Sequence, residues 1–104
     1  MTTLMEFSLI PLDRGASFST YVAETLEIVD ASGLDYRLTP MGTIVEGDWD
    51  DLQRLLSSCF RALEAQSGRV SLSVRYDHRA GKSGRLAGKV ASVVAKAGRP
   101  LKTT

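Results

Sequence analysis

The segment Tyr36-Arg-Leu-Thr-Pro-Met-Gly-Thr-Ile-Val-Glu-Gly47 constrains the fold more than any other part of this chain. Alternating runs flank the turn-forming Pro40-Met41-Gly42, the pattern of a β-hairpin, and a helix signal begins directly behind it at Asp48. If Pro40-Met41 is a two-residue turn, Leu38 pairs with Thr43 and Asp35 with Glu46, which puts Ile44 and Glu46 on the polar side. One added turn residue flips every side chain to the other face. Thr39, Met41, Thr43 and Glu46 place two hydroxyls, a thioether and a carboxylate within eight positions.

The rest of the chain alternates strands and helices around this hairpin. Met5 to Pro11 has the period of a half-buried strand: Met5, Phe7 and Leu9 share one face, and Glu6, Ser8 and Ile10 the other. Pro11 cannot donate to a ladder, so the strand is expected to end there. Ser17 reads as the N-cap of a helix to about Ser32, with Phe18, Val22, Leu26 and Val29 at helical spacing and Gly33 closing it. Strands follow at Leu34–Thr39 and about Gly42–Glu46. Asp48 caps the next helix, with Asp50 and Asp51 in its first turn and an apolar face of Leu52, Leu55, Leu56, Cys59, Phe60 and Leu63. Val70, Leu72, Val74 and Tyr76 then alternate strictly with Ser71, Ser73, Arg75 and Asp77. A last helix over about 85–97 carries a narrow stripe of Leu86, Val90, Val93, Val94 and Ala97.

This order predicts an α+β, ferredoxin-like βαββαβ sandwich with an additional C-terminal helix, in one domain whose core spans about residues 4–79. Helices cover one sheet face. Glu6, Ser8, Ile10, Asp35, Arg37, Thr39, Ser71, Ser73, Arg75 and Asp77 line the other, where a second subunit or a ligand is expected.

Composition narrows the function. The 104 residues carry a net charge of +1, so no global field favours nucleic acid or an acidic membrane. Bases are uneven: Arg69 to Lys102 holds nine Lys/Arg and one acid, Asp77, most economically read as a solvated face. One cysteine and one histidine allow no intrachain disulfide and argue against a zinc site within one subunit. Cys59 lies in a helical apolar stripe and reads as a structural thiol. No leader pattern or membrane-length apolar run is present, so a cytoplasmic protein is expected.

Catalytic motifs fail in turn. Gly81-Lys82-Ser83 has Tyr76 where a phosphate-binding P-loop needs its first glycine. His78, in a basic loop, builds no triad. Glu6 and Glu46 are two carboxylates on a sheet, more economically ion-paired with Arg37 or Arg75 than acting as acid and base. No enzyme is expected.

Glu6-Phe-Ser-x-x-Pro11, Tyr21-Val-Ala and Ser32-Gly-Leu-x-Tyr-x-Leu-Thr-Pro-Met-Gly-Thr-Ile-x-Glu-Gly47 together resemble the thiamine-binding family of MTH1187- and YkoF-like proteins (UPF0045). Asp77-x-Arg79 and the helix at Lys89-Val90 are similar to its C-terminal portion. The resemblance spans about residues 4–95, with Leu-Thr-Pro-Met-Gly-Thr as its specific part. It implies a small ferredoxin-like protein that assembles into dimers or tetramers and binds thiamine or its hydroxymethylpyrimidine part without catalysis or cofactor.

Thiamine offers an aminopyrimidine, a cationic thiazolium and a hydroxyethyl tail, so its pocket needs a carboxylate, hydroxyls and flat or polarizable walls. The candidate residues are Glu6 or Glu46 for the pyrimidine or the positive ring, Ser8, Thr39 and Thr43 for edge hydrogen bonds, and Ile10, Pro11 and Met41 as walls. The hairpin register decides whether Thr43 or Glu46 faces the ligand. The alternative expectation is a structural or regulatory oligomer binding another, phosphorylated, metabolite through Arg75, Arg79 and Lys82.

Overall fold

A computed structural model describes residues 2–104. The elements are β1 (Thr3–Pro11), α1 (Ser19–Ala31), β2 (Asp35–Thr39), β3 (Gly42–Gly47), α2 (Trp49–Glu64), β4 (Val70–His78) and α3 (Arg85–Ala97). The sheet runs β2-β3-β1-β4 with every neighbouring pair antiparallel, which is the expected ferredoxin-like arrangement with one helix added. The hairpin has the two-residue turn: Thr39 pairs with Gly42, Leu38 with Thr43 and Asp35 with Glu46.

Alternation along β1 sends Thr3, Met5, Phe7, Leu9 and Pro11 inward and leaves the residues between them half-exposed. Met5, Phe7, Leu9 and Val45 from the sheet meet Val29 of α1 and Leu52, Leu55, Leu56, Cys59 and Leu63 of α2 in one core. The α2 residues recur at intervals of three and four, so they form one stripe that packs on the sheet. Of the α1 stripe only Val29 is buried with the core. Leu26 packs against that core half-buried and also borders a cavity, which Phe18 and Val22 line beside it.

Several ends differ from expectation. The first strand starts at Thr3, two residues early, because Thr3 still pairs with Gly47 and His78. The second strand starts at Asp35 rather than Leu34. Ser17 does not cap α1: the N-cap is Phe18, without a side-chain cap bond, and the Ser17 hydroxyl lies 3.5 Å from that of Ser19. Asp48 does occupy the N-cap of α2, yet its carboxylate makes no cap bond, and Asp50 and Asp51 supply the first-turn charge. Gly33 takes the left-handed conformation (φ 75°) that closes α1.

The loop after β1 is tied to the loop before β4. Asp13 accepts from the Ser67 hydroxyl and from Gly68 N–H at 2.9 Å, and Arg14 Nε donates to Gln66 O at 2.9 Å. The Ser67 bond, ahead of the Gly68 and Arg14 contributions, holds the Asp13 carboxyl below its ordinary range despite partial desolvation.

The polar sheet face is only partly open, because the start of α3 sits against one end of it. Glu46, which the register puts on that face, accepts hydrogen bonds from Arg85 N–H and Leu86 N–H, each at 3.0 Å, and from the Thr2 hydroxyl. Asp77 pairs with Arg85 at 2.7 Å and with Lys89 at 2.6 Å, and these two cations hold its carboxyl down at about 2. Beyond this anchorage α3 buries none of its residues, and Val93 is 59% exposed. No helix of the described residues is long and apolar enough to cross a membrane.

Candidate functional site

The cavity of about 550 Å³ lies where β3 stops at Gly42 while β1 continues. Its inner wall is Phe7 to Ile10 of β1, its second wall is Phe18, Ser19, Val22, Thr25 and Leu26 beside and on α1, and its rim is the hairpin end from Leu38 to Thr43. None of these residues is charged. The Leu-Thr-Pro-Met-Gly-Thr segment therefore supplies one whole side of the hollow. Met41 at the turn is 85% exposed and Leu38 is 58% exposed, so two apolar side chains stand at the mouth with little cover.

Gly42 is required where the rim meets the wall. A Cβ there would come within 2.9 Å of the Phe7 carbonyl oxygen, a backbone atom that cannot swing aside. Gly42→Ala is expected to destabilise the protein by about 1–3 kcal/mol, the range for overpacking. Denaturant melts check the loss, and the Met41 and Thr43 amide NMR shifts check that the change is local to the hairpin end.

Five of the eight residues expected at a ligand site meet here: Ser8, Ile10, Thr39, Met41 and Thr43. Their roles are not equal. The Thr39 hydroxyl is engaged in the turn, donating to Gly42 O at 2.8 Å and accepting from Met41 N–H (3.3 Å) and Gly42 N–H (3.2 Å). The Thr25 hydroxyl, which sequence reading passed over, donates to Tyr21 O at 3.0 Å. Strand alternation sends Ser8 and Ile10 to the face opposite Phe7 and Leu9, so they border the cavity at the bare edge of β1. Thr43 and Met41 belong to it most directly.

The other three lie elsewhere. Pro11 is buried at the end of β1. Glu6 is ion-paired with Arg75 at 3.0 Å and lines a separate hollow of about 370 Å³ on the polar face, with Leu4, Ile44, Tyr76, Asp77 and Lys89. Glu46 is buried beneath α3. Burial by itself raises a carboxyl, but here the Thr2 hydroxyl and the Arg85, Leu86 and Gly84 amides outweigh it and hold Glu46 below its ordinary value. The two-residue turn thus separates Thr43 from Glu46: Thr43 faces the cavity side and Glu46 anchors a helix. Phe18 and Val22, expected in the apolar stripe of α1 that covers the sheet, line the cavity instead, while Leu26 both lines it and packs against the core. A helical apolar stripe looks the same whether it meets packed atoms or a hollow.

The nucleophile and imidazole candidates are accounted for structurally. Burial pushes the Cys59 thiol up to about 11, which keeps it protonated and inert near neutral pH. The His78 ring nitrogen Nδ1 is 2.8 Å from the Thr3 hydroxyl, at the far end of β1 from the cavity.

Comparison with known proteins gives the family and the fold. A family model described as thiamine-binding protein matches residues 5–94. UPF0045 protein Mb1933 of Mycobacterium bovis is 33% identical over 94 residues, covering 89% of this chain and 92% of the relative. UPF0045 protein MJ1052 of Methanocaldococcus jannaschii is 31% identical over 88 residues, covering 85% and 88%. The crystal structure of MJ1052 superposes with a TM-score of 0.83 over 88% of this chain and 95% of that one. TM0486 of Thermotoga maritima, a protein provisionally assigned to thiamine biosynthesis or salvage, shares the fold at a TM-score of 0.78 and 20% identity, covering 89% and 99%. With the family model spanning β1 through most of α3, the chain belongs to the thiamine-binding protein family.

Proposed function

We propose that this protein binds thiamine, or its hydroxymethylpyrimidine part, in the cavity at the hairpin end, and does so without catalysis as a cytoplasmic carrier or sensor. The observation that carries the reading is the uncharged lining around the Leu-Thr-Pro-Met-Gly-Thr rim. A neutral aromatic heterocycle gains by leaving water for such walls, whereas a cation or a phosphate ester loses its hydration without a partner. The pyrimidine therefore enters, and the thiazolium stays at the solvent-exposed mouth beside Met41. Thr43, buried at the rim, supplies a hydroxyl, and Met41 supplies a polarizable contact of the kind that adapts to an aromatic ring. The inert Cys59 and the remote His78 support binding over chemistry.

Self-association into a dimer or tetramer is part of the same proposal. It is supported by the uncovered stripe of α3 and by the half-open sheet face. Light scattering on the purified protein tests it; a monomer at all concentrations would remove it.

Calorimetric titration with thiamine tests the site. Thr43→Val and Met41→Ala are each expected to weaken binding about 5- to 30-fold, the equivalent of one hydrogen bond or one apolar contact. Glu6→Gln is expected to leave affinity unchanged. Affinity should vary little between low and high salt, since no charged side chain lines the cavity. A phosphorylated ligand held by Arg75, Arg79 and Lys82 would instead weaken steeply with salt, and that result would replace this reading. Undiminished thiamine binding by both cavity variants would place the ligand elsewhere.

A further inference from the structure

The two ladders on β1 have different lengths. Its pairing with β4 runs the whole strand, from Thr3↔His78 to Pro11↔Val70, while its pairing with β3 ends at Phe7↔Thr43. Antiparallel partners exchange backbone hydrogen bonds at every second residue, so the direction in which each β1 residue bonds follows from one observed rung. Leu12 N–H donates to Arg69 O at 2.8 Å, one step beyond Pro11↔Val70. The even-numbered residues of β1 therefore bond to β4, and the odd-numbered ones point toward β3. The hairpin gives the same parity independently. Thr39 and Gly42 close the two-residue loop, so Gly42, Ile44 and Glu46 face β2, and Thr43, Val45 and Gly47 face Phe7, Met5 and Thr3.

Leu9 is the next odd residue. The position opposite it belongs to Met41, which is in the turn and outside the ladder. The N–H and C=O of Leu9 are thus directed into the gap bordered by Met41 and Gly42, which is the cavity. Pro11, the odd residue after it, has no N–H to lose, as expected where no strand follows. Backbone groups in an interior need partners, and here one donor and one acceptor stand side by side without a third strand.

We infer that the main-chain N–H and C=O of Leu9 form the specificity-determining pair of this cavity and read the aminopyrimidine edge of its ligand. The N–H donates to the ring nitrogen, and the C=O accepts from the adjacent exocyclic amine. This rests on the binding site proposed above. The heterocycle then takes the place of the missing rung of β3. A peptide strand fits less well, because only one residue of the bare edge offers both groups and Pro11 blocks the next donor position.

The test compares three probes on ¹⁵N-labelled protein: thiamine, pyrithiamine (aminopyrimidine kept, thiazolium replaced) and oxythiamine (the exocyclic amine replaced by oxygen). Thiamine and pyrithiamine are expected to bind within about threefold of each other. Oxythiamine, which presents oxygen to the Leu9 carbonyl, is expected to bind about 10- to 100-fold more weakly, as sites built for a hydrogen-bond donor reject its absence. The Leu9 amide resonance should shift and gain protection from exchange with the first two ligands. Oxythiamine binding as tightly as thiamine, or a Leu9 amide unmoved while Thr43 and Met41 shift, would overturn this inference and leave the site proposal standing. Absence of thiamine binding would overturn both.

Discussion

Replacing Glu46 by alanine is expected to release α3 from the sheet. The carboxylate is the shared acceptor for the first amides of that helix, Arg85 and Leu86, and for the Thr2 hydroxyl, and it is buried. A helix N-terminus presents unsatisfied N–H groups and a partial positive charge, so a carboxylate from another strand both caps it and complements its dipole. Losing that cap costs about 2 kcal/mol, in the upper range for capping residues because charged hydrogen bonds are involved. None of the side chains of α3 is buried, so little packing compensates. The loss should appear as reduced far-ultraviolet helicity, faster exchange of the Arg85 to Val90 amides, and quicker tryptic cleavage after Lys82 and Arg85. Glu46→Gln keeps one acceptor oxygen and should lose about half as much. Unchanged exchange in both variants would mean that α3 is held by something else.

Acid should do reversibly what the substitution does. The Glu46 carboxyl lies below its ordinary value of 4.5 in the folded protein. A carboxyl depressed by folding stabilises the fold fully above its unfolded value and loses that contribution as pH falls through the folded one. Asp77 behaves alike, from its ordinary 3.8 down to about 2, where its pairs with Arg85 and Lys89 dissolve. The exchange protection of α3 is therefore expected to be constant above about pH 5 and to fall progressively below it.

Leu52→Ala is expected to be the most damaging single substitution considered. Leu52 is fully buried at the start of α2 and reaches the β3 end, where its Cδ2 would sit 3.5 Å from a Cβ added at Gly47. Truncation removes three carbons from a packed core and leaves a cavity, which costs about 2–5 kcal/mol. For a chain of this size about 3 kcal/mol lowers Tm by roughly 12–20 °C. It also takes a large part of the few kcal/mol by which domains are stable. Chemical denaturation should show a lower midpoint with an unchanged slope. The same truncation of an exposed apolar residue, Val93→Ala, should cost under about 0.5 kcal/mol. A Leu52→Ala loss as small as that would contradict the packing described.

The local periods of the sequence determined the elements and most of their inward faces. Alternation in β1 and β4 and the leucine spacing of α2 each follow from which side chains must leave water, and that choice is made within a few neighbouring residues. Pro40-Met41 marked the turn but left its length open, and the register was decided only by the pairing of Thr39 with Gly42 in the folded hairpin. The sheet order followed from the strand and helix sequence. Residue type suggested the cavity rim at Thr39, Met41 and Thr43.

What the sequence left undecided depends on groups far apart in the chain. Glu46 and Glu6 look alike as strand carboxylates. Only the arrival of α3, some forty residues later, makes the first a buried cap, while Arg75 of β4 leaves the second in a surface ion pair. Phe18 and Val22 read as core because periodicity records an apolar face and not what fills the space opposite it. That space is a hollow because the β1–β3 ladder stops at Phe7 while the β1–β4 ladder runs four residues further to Pro11, a difference in ladder length that exists only once three strands are paired. The hairpin's shape was thus a local property, whereas the cavity beside it arose from tertiary pairing: removing a neighbouring strand exposes backbone groups and apolar faces that the sequence alone assigns to a closed interior.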